Sequence, residues 1–140
     1  MSYTYAVLGG GRQGTAAAYD MALFGDAQRV LVADVNLAAA QKSVARVNEL
    51  LGREIAEARQ LDVTNQPELL DFLSEVDSFL SAVPYWLNPA ITRAAIEAKA
   101  NMCDLGGNTD LVREQMKLDS RAQEAGIAVV PDCGQVPGMG

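Results

Sequence analysis

Residues 4–34 read TYAVLGGGRQGTAAAYDMALFGDAQRVLVAD. A short apolar run, Tyr5 to Leu8, leads into Gly9-Gly10-Gly11-Arg12-Gln13-Gly14, and an alanine-rich helical pattern follows. A β-branched run, Val30 to Ala33, then ends on Asp34, about twenty residues past Gly14. This is G-x-G-x-x-G in a strand–turn–helix–strand frame, which reads as a dinucleotide-binding turn. Gly9 permits the tight turn out of the strand, Gly11 lets a pyrophosphate approach the backbone, and Gly14 lets helix and strand pack closely. The helix opening at Arg12 and Gln13 aims unpaired N–H groups and the positive end of its dipole at that pyrophosphate. Asp34 is placed to accept hydrogen bonds from ribose hydroxyls and to repel a 2′-phosphate, and Val35 and Asn36 after it supply no arginine. NAD is therefore expected, with NADP disfavoured.

Outward from this stretch, the pattern alternates. Strands are predicted at Thr4–Leu8, Arg29–Ala33, Ile55–Leu61, Ser78–Val83, Asn101–Leu105 and Ile127–Val130. Helices are predicted at Arg12–Phe24, Leu37–Leu51, a short one after Pro67, Asn88–Ala98, and a single polar-faced helix over Asp110–Ala125. Asn36 and Gly52 suit the caps of the second helix. Six strands separated by helices imply an α/β Rossmann fold, a doubly wound parallel sheet ordered 3-2-1-4-5-6. The partial alternation of IAEARQL places the third strand near a sheet edge.

The 140 residues suit one domain. A domain over 1–130 is expected, with 131–140, PDCGQVPGMG, starting a connection to a further domain. The net charge of −7 argues against a nucleic-acid partner and offers no polybasic membrane anchor. No apolar run approaches the roughly 20 residues of a membrane span. The N-terminus shows no basic n-region, and Cys103 and Cys133 form no C-x-x-C, so a reducing cytoplasm is expected. Histidine is absent, which excludes imidazole chemistry from this chain alone.

Ligands in such sheets bind beyond the carboxyl ends of the strands, where the strand order reverses. Asp62 and Val63, after strand three, are candidates to flank adenine, with a helix cap and a core valine as the alternative. Val83 and Pro84, after strand four, would pass the nicotinamide half. Tyr85 would shape the substrate mouth, whereas Trp86 is expected to pack. Cys103-Asp104-Leu105-Gly106-Gly107-Asn108 carries three polar groups and two glycines, which suggests a backbone approaching a ligand; Asp104 reads as a capping acid. Asn108 and Cys133 are the further substrate-side candidates. Nothing near either cysteine in sequence lowers a thiol pKa, so no nucleophile is assigned.

Together the glycine turn, the Asp34 strand, SAVPYWLNPAITRAAIEA, CDLGGNTDLV and PDCGQVPGMG resemble the saccharopine dehydrogenase family, most of all its lysine 6-dehydrogenase-type members. The resemblance runs over essentially the whole chain, and D-L-G-G-N with P-D-C-G-x-x-P-G-M is its specific part. It implies an NAD(P)-linked oxidation at an amine-bearing carbon, with a small amine or amino acid as substrate. The imine formed would be hydrolysed, or reduced in the reverse direction. It also implies a homo-oligomeric parent with a substrate and dimerisation domain beyond the P-G-M segment. The chain is thus expected to act as a cofactor domain with catalytic residues elsewhere, turning over lysine slowly or not at all. A nucleotide-sensing regulatory domain without catalysis, or a Rossmann relic without ligand, are the other readings.

Overall fold

The computed structural model describes residues 2–134. Its elements in order are β1 (Tyr3–Leu8), α1 (Arg12–Phe24), β2 (Ala27–Asp34), α2 (Leu37–Leu51), β3 (Ala56–Gln60), α3 (Gln66–Leu73) and β4 (Ser78–Ser81). A 3-10 turn (Tyr85–Leu87), α4 (Asn88–Ala98), β5 (Asn101–Asp104), α5 (Thr109–Met116), α6 (Asp119–Ala125) and β6 (Val129–Val130) complete it. The sheet is parallel throughout, ordered β3-β2-β1-β4-β5-β6, so the doubly wound arrangement is borne out.

Strand alternation sends neighbouring residues of β1 to opposite layers. Ala6 and Leu8 join Leu31, Phe79 and Met102 in a core closed by α3 and α4. Val7 joins Val30 and Val32 in a second core closed by α1 and α2 through Ala18, Ala22, Ala40 and Val47. Each fully buried Val or Leu contributes about 1.5–3 kcal/mol. The small residues of α1 let its axis lie close to the sheet: Gly14, Ala18 and Ala22 are its buried positions, at helical spacing.

The local signals account for most element ends. Asn36 caps α2 by accepting from the backbone N–H of Ala38 and Ala39, and Gly52 closes it at φ 66°. Asn65 caps α3 ahead of Pro67. Two expectations need correction. The predicted helix over 110–125 is two helices: the N–H of Leu118 turns back three residues to the carbonyl of Gln115, a tightening that ends α5. Gln115 is held inward by buried partners, and α6 starts afresh at Asp119 with Ala122 as its buried residue. β6 is shorter than Ile127–Val130, because the N–H of Ile127 closes α6 onto Ala122 before the strand begins.

Candidate functional site

β1 and β4 lie side by side at the point where the strand order reverses. Their carboxyl ends, with that of β2, frame a cleft of about 340 Å³, within the usual range for ligand clefts. Gly9, Gly11, Asp34, Val35, Asp62, Val63, Val83 and Pro84 all line it. Leu61, Thr64, Ala82 and Leu87 line it as well and were not singled out in the sequence. Ala82 and Leu87 flank Val83-Pro84, and Thr64 follows Val63, so a wider window around each strand end would have found them.

The three glycines serve different needs. Gly9 adopts φ 112°, and a Cβ there would meet the Ala82 carbonyl oxygen at 2.7 Å. Gly14 is buried, and a Cβ there would overlap the Gly9 carbonyl and touch Val7. A Cβ on Gly11 would meet nothing within 4 Å. Gly11 is also the N-cap of α1, with no side chain capping the helix. The first turn of α1 therefore leaves backbone N–H groups and the helix dipole facing open space, the cradle that a phosphate fits.

Asp34 ends β2 beside this turn. Its Oδ2 accepts from the Gly10 N–H and its Oδ1 from the Asn36 N–H, both at 2.8 Å. Each carboxylate oxygen keeps further acceptor capacity, which ribose hydroxyls can use. Asp62 accepts from both the hydroxyl and the N–H of Thr64, in that order of influence, which holds its carboxyl below the usual range. That turn keeps Asp62 ionised and exposed at the rim, past the end of β3 next to the β2 strand that ends on Asp34.

Other predicted residues stand apart from the cleft lining. Arg12 lines a groove between α1 and α2 with Lys42 and Arg46, and Gln13 lies exposed on the first turn of α1. Tyr85 packs edge-on against Trp86, ring centroids 5.3 Å apart, just past Pro84. Trp86 itself is 62% exposed, so the expectation that it packs is corrected: the 3-10 turn presents it outward. Asn108 caps α5, its Oδ1 accepting from the N–H of Asp110 and Leu111. Cys133 lies beyond β6, its thiol on the Val130 carbonyl.

The glycines of the 103–108 loop face other chain segments. A Cβ on Gly106 would overlap Asp132, and one on Gly107 would meet the Tyr85 ring at 3.0 Å. Asp104 is completely buried; its Oδ1 accepts from the Gly106 and Asp132 N–H groups, and Oδ2 from the Gln115 amide. It joins two loops and a helix, a role the reading as a capping acid missed. Burial, then Cys133 and Asp104, push the Cys103 thiol to about 11. Burial, Asp104 and Asp132 raise that of Cys133. Both thiols stay protonated near neutral pH, unlike activated nucleophiles.

A groove of about 430 Å³ between α4, α6 and β6 contains none of the predicted residues. Among the described residues, no helix is long and apolar enough to cross a membrane. The segment Gln135 to Gly140, including P-G-M, lies outside the described residues.

Residues 5–130 match the family model described as the saccharopine dehydrogenase NADP binding domain. The saccharopine dehydrogenase (NADP(+), L-glutamate-forming) of Saccharomyces cerevisiae is 28% identical over 106 residues, 76% of this chain and 23% of that enzyme. An alpha-aminoadipic semialdehyde synthase of Arabidopsis thaliana is 29% identical over 110 residues, 79% of this chain and 10% of its own. The solved apo structure of the yeast saccharopine dehydrogenase (L-Glu forming) covers 98% of this chain and 28% of its own, with a TM-score of 0.77 and 28% identity. Quinate dehydrogenase from Corynebacterium glutamicum, in complex with NAD, shares the fold at 18% identity and a TM-score of 0.66, over 97% of this chain and 46% of its own. The chain thus spans about a quarter of the yeast enzyme's length. A family model of an NADP-binding domain supports a nicotinamide dinucleotide. It lends no weight to the expectation that NADP is disfavoured.

Proposed function

The chain belongs to the saccharopine dehydrogenase NADP binding domain family, an oxidoreductase family, and from that premise we propose that its cleft seats the dinucleotide for oxidation at an amine-bearing carbon. The observation that carries the proposal is the open, uncapped first turn of α1 at Gly11, beside Asp34 and between the carboxyl ends of β1 and β4.

In this reading Gly9, Gly11 and the first N–H groups of α1 receive the pyrophosphate, with Arg12 and Gln13 at its edge. Gly14 supports them from beneath by letting α1 sit against β1. Asp34 accepts the adenosine ribose hydroxyls, Val35, Asp62 and Val63 flank adenine, and Val83 and Pro84 border the nicotinamide end. What a bound dinucleotide supplies is acceptance of a hydride; the cleft orients it and excludes water along one side. The substrate fitting this class is a small amine or amino acid, as in lysine ε-deamination or saccharopine-type chemistry. Tyr85, in the turn just past Pro84, would border its approach, and catalytic proton transfer is assigned to no residue of this chain. A homo-oligomeric parent with a second domain and a cytoplasmic setting complete the proposal. Asp34 is the ground for proposing NAD over NADP, because its carboxylate opposes a 2′-phosphate.

Titrating NADH and NADPH against the fluorescence of Trp86, the single tryptophan, tests this. Saturable quenching, tighter for NADH, supports the reading. Quenching by NADPH alone overturns the NAD preference, and no binding of either overturns the cofactor assignment.

A further inference from the structure

The two motifs that carry the family resemblance most specifically, D-L-G-G-N and P-D-C-G, meet in space around one buried carboxylate. Asp104 is fully buried and pairs with no cation among the described residues; three neutral donors satisfy it. An ionised group taken out of water costs several kcal/mol unless such donors meet it, so these three bonds act together.

The contacts continue to the cleft in two directions. In one, the Gly106 N–H, at 2.8 Å from Asp104 Oδ1, fixes the turn in which Gly106 and Gly107 adopt φ 71° and 129°. Gly107 backs onto the Tyr85 ring so closely that a Cβ would touch it at 3.0 Å. In the other, Asp104 Oδ2 accepts from Gln115 Nε2, which also donates to Thr92 Oγ1 at 2.9 Å. Thr92 donates to the carbonyl of Asn88, whose side chain accepts from Ser81 at 2.8 Å. Ser81 ends β4 and Asn88 begins α4, so this chain holds both ends of the segment 82–87. The turn bearing Pro84, Tyr85 and Trp86 is thus held at its two ends by one network and backed at Tyr85 by Gly107.

We propose that Asp104 is a positioning residue for the nicotinamide end of the cleft, setting the place of Tyr85 and Trp86 through the Gly106–Gly107 turn and the Gln115–Thr92–Asn88 hydrogen-bond chain. The assignment of that end of the cleft rests on the proposed function; the placement of the aromatic turn does not.

The network has a defined donor–acceptor order, which makes it testable. In Asp104→Asn the new amide either meets Gln115 Nε2 or the two backbone N–H groups donor against donor, or it turns the Gln115 amide over so that Nε2 no longer donates to Thr92 Oγ1. Adding Gln115→Glu gives that amide an acceptor again. On residues 1–140, Asp104→Asn is expected to alter the near-UV circular dichroism and emission of Trp86 while far-UV dichroism stays unchanged. It should weaken NADH roughly fivefold or more, the loss expected when about one hydrogen bond's worth of contact at the nicotinamide end is misplaced. ADP-ribose, which lacks nicotinamide, should bind as before, and the double variant should recover part of both readouts through the Gly106–Gly107 turn, since the new carboxylate cannot donate to Thr92 Oγ1. Unchanged Trp86 spectra, or equal weakening of NADH and ADP-ribose, overturn the proposal. Should the wild type bind neither ligand, the dinucleotide reading fails, and the Trp86 spectra still decide whether Asp104 places the turn. Should Asp104→Asn not fold, Gly107→Ala pushes directly on Tyr85: altered Trp86 spectra support the linkage, and unaltered spectra overturn it.

Discussion

The backbone N–H of Gly10 donates to Oδ2 of Asp34 at 2.8 Å, tying the middle of the glycine turn to the end of the neighbouring strand. Asp34 thus shapes the turn as well as facing the cleft. Asp34→Ala is expected to weaken NADH by roughly 10- to 100-fold, the loss typical of hydrogen bonds to a charged group. NADPH should weaken less, because a repulsive charge leaves together with the acceptor. Calorimetric titration of both dinucleotides checks this, and equal losses would contradict it. The orphaned Gly10 and Asn36 N–H groups should also lower folding stability by about 1–2 kcal/mol, read from urea denaturation.

Gly11 and Gly14 should separate binding from folding. Gly11→Ala places its methyl group in open space, so stability should fall only by the Gly-to-Ala difference at an N-cap, about 1 kcal/mol or less. Dinucleotide affinity should nonetheless fall at least about tenfold, because the methyl occupies the phosphate cradle. Gly14→Ala drives a methyl into the Gly9 carbonyl and should cost about 3 kcal/mol or more. Urea midpoints alongside NADH titrations measure both effects; a Gly11→Ala variant that binds normally would remove the pyrophosphate from this turn.

Asn108 is expected to act as a helix cap. Asn108→Ala should lower stability by about 1 kcal/mol, and Asn108→Asp should restore most of it. Affinity for NADH should stay unchanged in both. A selective loss of cofactor affinity with intact stability would return Asn108 to the ligand-facing set.

The thiols make alkaline stability a readout. Cys103 titrates near 11 in the folded chain because burial, and then Cys133 and Asp104, disfavour its thiolate. Its unfolded value is lower, about 8.5, so between these values the unfolded state has lost the proton that the folded state keeps. The stabilisation is fully present below the unfolded value and lost as pH rises toward the folded one. Cys103→Ser should flatten that loss between about pH 8.5 and 11 in chemical denaturation. Alkylation of either native thiol at pH 7.5 should be slow beside a free cysteine.

The sheet was legible because its signals are local: β-branched runs, glycine turns, and caps such as Asn36 and Gly52. The cleft followed from knowing where ligands sit in such a sheet, and eight of the predicted residues line it. The split between α5 and α6 was hidden because it depends on Gln115 being drawn inward by Asp104 and Thr92, which are distant in sequence. For the same reason Gly106 and Gly107 suggested a ligand, when their near neighbours are Asp132 and Tyr85. A glycine records that something approaches the backbone, and only the fold says what. Trp86 shows the converse: an aromatic residue suggests burial, yet the turn after Pro84 carries it outward.

The pairing of β1 with β4 has a consequence for how the molecule assembles. Tyr5 meets Ser78 across that seam, whereas β1–β2 and β2–β3 join segments that lie much closer in sequence. Closing so long a loop costs entropy before any contact rewards it, so the β1–α1–β2 unit is favoured to organise early and the β1–β4 seam late. A ligand seated across that seam would touch both halves of the sheet. It would act as a clasp on the least local junction in the fold, slowing its reopening.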